Sequence, residues 1–96
     1  MKSLQEVKSI IFGLKPYLRE KYGVLEVEIF GSYSRDEQTQ NSDLDLIITL
    51  DKPLGFEFLD LCDYLDSQLD VKVDILTQKG IKKNFYNSIK GDIVHV

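Results

Sequence analysis

Leu4, Val7, Ile11, Leu14 and Leu18 recur at spacings of three and four, which places them on one stripe and predicts a helix from Ser3 to about Tyr22. Ser3 and Glu6 have the form of a capping box, in which each side chain satisfies a free N–H of the first turn. Gly13 and Pro16 interrupt the pattern, and Pro16 cannot donate to residue 12, so a kink or a restart is expected there. Gly23 supplies a stop. From Val24 to Phe30 the period changes to two, with Leu25, Val27 and Ile29 alternating against Glu26 and Glu28, and this predicts a strand. Leu44 to Leu50 is almost continuously apolar, as in a strand buried on both faces. Pro53 and Gly55 mark the turn that follows. Phe58, Cys62, Leu65 and Leu69 then predict a helix over 56–69, with Asp60, Asp63 and Asp66 on its solvated side. Val71, Val73 and Ile75 alternate with Lys72 and Asp74 in a third strand, 71–76. Ile81, Phe85 and Ile89 mark a last helix, and 92–96 closes the chain as a strand.

The resulting order, α-β-(short helix)-β-α-β-α-β, is that of an α/β or α+β domain with helices packed on a small sheet. Ninety-six residues with 43% hydrophobic and 29% charged side chains suit one domain spanning 1–96. No apolar run approaches the roughly 18 residues that cross a bilayer. Glu6 stands where an export signal would turn apolar, so a soluble cytoplasmic domain without membrane contact is expected. The net charge of −4 argues against direct nucleic-acid binding by the bare surface. A nucleotide remains compatible, provided a divalent cation supplies the missing positive charge. Cys62 reads as a helix packing residue, and His95 has no neighbour in sequence that would make it a metal ligand.

The chemistry concentrates between the first two strands, in GSYSRDEQTQNSDLD. Gly31 ends a strand where the chain turns sharply and lets a ligand approach the backbone. Ser32 would open a short helix through Tyr33 to Glu37, whose free N–H groups favour a phosphate. Arg35, one turn on, could add its planar fork. Asp43 and Asp45 project to one face of an extended segment, with Cα atoms roughly 6.5–7 Å apart, and carboxylates so placed can share two Mg²⁺ ions. Asp74 is the only acid of the VKVDIL strand, and it lies beside Asp45 if the third strand pairs with the second.

Gly31-Ser32, ten residues, then Asp43-Leu44-Asp45 resembles the signature of the DNA polymerase beta-like nucleotidyltransferase superfamily. Across nearly the whole chain, GSYSR, NSDLDLIITL and VKVDILT resemble the minimal nucleotidyltransferases, or MNT domains, found as antitoxins of helical HEPN toxins. The resemblance implies a small mixed sheet flanked by helices. It implies that Gly31 and Ser32 hold the β,γ-phosphates of a nucleoside triphosphate, with Arg35 assisting and Ser42 as a further nucleotide-binding candidate. Asp43, Asp45 and Asp74 would be the catalytic metal ligands, binding two Mg²⁺, and Asp74 would also act as base. ATP would be the donor and a toxin tyrosine the acceptor.

The family commonly carries Gly-Ser-x-Ala-Arg-Gly-Glu, where this chain has Gly31-Ser32-Tyr33-Ser34-Arg35-Asp36-Glu37. Asp36 adds a carboxylate near the phosphates and removes a residue suited to positive φ. Larger relatives carry an added acceptor-binding domain for which 96 residues leave no length, so the acceptor is expected on another chain. Two other readings compete: an antitoxin that neutralises by binding alone, and a small-molecule nucleotidyltransferase completed by homo-oligomerisation.

Overall fold

The computed structural model describes all residues, 1–96. Its elements are α1 (Leu4–Tyr22), β1 (Val24–Phe30), β2 (Leu44–Leu50), α2 (Glu57–Leu69), β3 (Val73–Thr77), α3 (Lys83–Ile89), a short 3₁₀ turn (Lys90–Asp92) and β4 (Val94–His95). The strands form one mixed sheet in the order β3-β2-β1-β4, making this an α+β fold. The loop over 31–43 brings β2 back antiparallel to β1, whereas α2 carries the chain across so that β3 joins β2 in parallel. No helix is long and apolar enough to cross a membrane.

The reciprocal Ser3–Glu6 cap forms at the start of α1, and Gly23 ends that helix in the left-handed region at φ 71°. Pro16 does not restart the helix, which runs unbroken from Leu4 to Tyr22. The missing bond would have been to the carbonyl of Phe12, a residue 68% exposed, where water can take its place. Val7, Ile11 and Leu18 of α1 meet Val27, Ile29, Leu46 and Ile48 of the sheet and Leu61, Leu65 and Leu69 of α2 in one core. The buried face of α2 thus turns on Leu61 rather than Cys62, which is only half-buried. Nor is the acidic side of α2 merely solvated. Asp60 accepts the Tyr22 hydroxyl at 2.6 Å, and Asp66 accepts the Val73 N–H at 2.8 Å, fixing the start of β3.

The two helices of this core lie on one face of the sheet. By the alternation of each strand, Glu28, Phe30, Asp45, Ile47, Asp74 and Leu76 project to the other face. The ring of Phe85 in α3 stands edge-on to Phe30 there, with centroids 5.9 Å apart. Two predicted elements are shorter than expected. The third strand begins at Val73, because Asp70 ends α2 in the left-handed region and residues 71–72 lead out of that turn, and the terminal strand shrinks to two residues.

Candidate active site

Strand register brings two acids side by side, with a third close by in sequence. Parallel pairing sets Asp45 opposite Asp74, and antiparallel pairing sets Asp45 opposite Phe30, the residue before Gly31. Asp43 precedes β2 by one residue. The end of β1 and the starts of β2 and β3 therefore meet at one end of the sheet, on the face away from α1 and α2. Gly31 holds φ 78° there, and a Cβ at this position would collide with the Asp45 carboxylate. Glycine is required twice over: for its backbone angle and for its contact with an acid.

The electrostatics follow from that crowding. Burial is the main cause that raises the Asp45 carboxyl above its ordinary range, followed by the charges of Asp74 and Asp43, with Arg35 pulling the other way. Lys72 lies 3.8 Å from Asp43 and partly offsets the cluster. This lysine was not singled out by its sequence position, since a Lys alternating in a strand reads as solvent-facing; its nearness comes from the β2–β3 register. A set of carboxylate oxygens suits a hard cation such as Mg²⁺, and a bound cation would remove the repulsion that Asp45 feels. The three side chains are not drawn together into a cluster that could hold a metal ion by itself, so a cation there would need further oxygen ligands, such as those of a phosphate and water.

The phosphate-side residues differ from expectation. Residues 32–36 form a hydrogen-bonded turn rather than a short helix. Glu37 N–H donates to the Ser32 carbonyl at 2.9 Å and Asp36 N–H to the Tyr33 carbonyl at 3.2 Å, the paired bonds of a Schellman closure. That closure needs a left-handed residue where this chain has Asp36, which takes φ 58°. Tyr33 is buried in the core and anchors the turn. Ser32 is half-buried and makes no side-chain hydrogen bond, whereas Ser34 donates to the Gly31 carbonyl at 2.8 Å. Arg35 is held at 2.9 Å by Glu37 and lies 3.7 Å from Asp92, tying the turn to the 3₁₀ segment instead of reaching across the acids. Ser42 serves its own loop: its hydroxyl accepts from Thr39 N–H at 2.9 Å.

Cys62 carries a thiol that burial, chiefly, and the nearby acids Asp66, Asp63 and Asp74 push above its usual range, which makes it a poor nucleophile. His95 is exposed, but its Nε2 lies 3.4 Å from the buried carboxylate of Glu28 on β1. Only the β1–β4 pairing brings these two together.

A family model described as a nucleotidyltransferase domain matches residues 11–95. A candidate protein adenylyltransferase of Methanocaldococcus jannaschii is 40% identical over the whole of both chains. The protein adenylyltransferase MntA of Thermococcus cleftensis is 33% identical over 100% of this chain and 98% of its own. Among solved structures, one described as a minimal nucleotidyltransferase superposes with a TM-score of 0.80 at 23% identity, covering 97% of this chain and 95% of its own. Another, of a tri-AMPylated Shewanella oneidensis HEPN toxin in complex with an MNT antitoxin, superposes with a TM-score of 0.69 at 21% identity over 96% of this chain and 70% of its own. The chain belongs to the nucleotidyltransferase domain family, and its fold is that of the solved structures it superposes on.

Proposed function

We propose that this nucleotidyltransferase moves AMP from ATP to a hydroxyl of a second protein, a tyrosine of a HEPN-type helical toxin, and so acts as the toxin's antitoxin. The observation that carries the reading is the side-by-side placement of Asp45 and Asp74 on one face, with the Gly31 backbone pressed against the Asp45 carboxylate. The relatives named protein adenylyltransferases support AMP as the group transferred.

In this reading Gly31 and Ser32 present the turn to the β,γ-phosphates, and Arg35 leaves Glu37 to assist. Asp43, Asp45 and Asp74 would hold Mg²⁺, which would supply positive charge against the phosphates. Asp74 takes the proton from the acceptor hydroxyl. The freed oxygen forms a bond to the α-phosphorus, and the bond from that phosphorus to the bridging oxygen breaks. AMP remains on the acceptor, and pyrophosphate leaves with the electron pair.

Incubation with Mg-ATP and the helical partner should increase the partner's mass by one or more AMP units. Absence of transfer with ATP, GTP, CTP and UTP alike would reject the reading. Asp43→Asn should abolish transfer with the fold intact, since Asp43 lies outside the core. Capture of Arg35 by Glu37 and Asp92 favours a second reading, neutralisation by binding alone. In that case Asp43→Asn and Asp74→Asn proteins would still silence the toxin fully.

A further inference from the structure

The acids lie at the starts of β2 and β3; a cavity of about 320 Å³ lies at the other ends of the same two strands. Thr49 is four residues past Asp45 along β2, which puts the cavity about 13 Å from the acids. It opens between the loop leading into α2 and the loop that follows β3. The C-terminal ends of adjacent parallel strands are where loops diverge and leave room for a ligand. Leu50, Leu54 and Phe58 give it a mainly apolar wall. Lys52 and Lys79 also line it, and no acidic residue does. Neither lysine is paired with a carboxylate, in a chain whose net charge is −4. Gln78 spends its backbone N–H on the Ile48 carbonyl at 2.8 Å and keeps its side-chain amide free.

We propose that this cavity is a second ligand site, taking a small molecule of one or two rings that carries a single carboxylate, phosphate or sulfonate. The volume lies at the low end for ligand pockets, which sets the size of the ring system. The apolar wall takes the ring, and the two ammonium groups take the anion. The nearly fully exposed Phe56, at the start of α2, extends the apolar surface beyond the cavity and makes a protein segment the competing occupant. A small ligand is favoured because the recess is bounded by two loops and its cations have no carboxylate partner.

The test is amide chemical-shift titration of the full chain with three probes: 2-naphthoate, its uncharged analogue 2-naphthamide, and phenyl phosphate. Both anions should give saturable shifts at Leu50, Lys52, Phe58 and Lys79, leaving Asp43 and Asp74 unmoved. The uncharged analogue should bind about tenfold or more weakly than the naphthoate, as should the naphthoate to a Lys52→Met, Lys79→Met double variant. Both lysines are exposed, so that variant keeps its fold. Comparison of the carboxylate with the phosphate identifies the preferred head group. Equal affinity for acid and amide, shifts confined to the acidic end, or no saturable binding in the millimolar range would each overturn the proposal. So would a double variant whose only change is loss of binding to a protein partner.

Discussion

Asp36 takes φ 58°, a backbone angle that glycine adopts without cost and that most residues resist. The Schellman closure around it demands that angle, which explains physically why Gly is common there in the family. Aspartate tolerates the left-handed region better than most residues, and its carboxylate accepts from the Gln38 amide at 3.3 Å. Asp36→Gly should relieve the backbone but add entropy to the unfolded chain, so urea midpoints should report a net change within about 0.5 kcal/mol. Asp36→Ala, with the strain and without the local bond, should cost about 1 kcal/mol. Removing the carboxylate in either variant should tighten ATP binding about threefold, the scale of one screened surface charge, measurable by calorimetry. Asp45 gives a prediction of opposite sense. Burial and two acidic neighbours raise its carboxyl, so the folded chain binds this proton more readily than the unfolded one. Its contribution favours folding as pH falls through the raised value and opposes folding above it. Asp45→Asn should therefore melt higher than the parent at pH 7 without divalent cations, the gap closing as pH falls to the carboxylate range; a lower melting point at pH 7 would contradict it. At this scale the adjacency of Asp45 and Asp74 was legible in the sequence, because it needed only that the third strand pair with the second. The fates of Arg35 and Ser42 were not, since they depend on nearby polar groups that alternation cannot rank.

At the scale of elements, α1, β1 and β2 were legible because each carries an unambiguous period or a clear cap. The turn over 32–36 was not: a polar stretch beginning with Ser suits a helix start, but Asp36 closes it after a single turn. The buried side of α2 was misjudged for a similar reason. Leu61 and Cys62 are adjacent apolar residues, and only the position of α1 decides which faces inward. Pro16 is the one place where the local rule and the finished element disagree. The helix tolerates it because both faces of the neighbouring turn do different work: Ile11 and Leu18 are fixed in the core while Phe12 faces water. Pro16→Ala would restore a donor to the Phe12 carbonyl and relieve the ring's clash with it, at the expense of greater freedom in the unfolded chain. The net expectation is a gain of about 1–2 kcal/mol in unfolding free energy, visible as a higher urea midpoint with an unchanged slope. A loss of stability would mean that the proline is accommodated by a bend that the packing of α1 requires.

For the molecule as a whole, the sheet separates two tasks. One face is covered by α1 and α2 and supplies the cohesion. The other carries acids at one end, and its edge opens into a cavity lined by lysines at the far end. That division costs stability, because the charges of Asp74 and Asp43 oppose ionisation of Asp45 in the absence of a cation. The consequence is testable without any acceptor. A cation that binds the folded chain and not the unfolded one stabilises by mass action, by about 2.7 kcal/mol at a hundredfold excess over its dissociation constant. For a domain of this size that is a rise in melting temperature on the order of 10 °C. Mg²⁺ with a non-hydrolysable ATP analogue should give such a rise, Mg²⁺ alone a smaller one, and the same ionic strength of NaCl little, since screening weakens the repulsion without occupying the site. Asp43→Asn combined with Asp74→Asn should start from a higher melting temperature and respond to neither. Lys72→Met, which frees Asp43 from its nearest cation, should start lower and gain more from Mg²⁺ than the parent. An equal Mg²⁺ response in the parent and in the double Asn variant would place cation binding elsewhere and remove the metal role assigned to these acids.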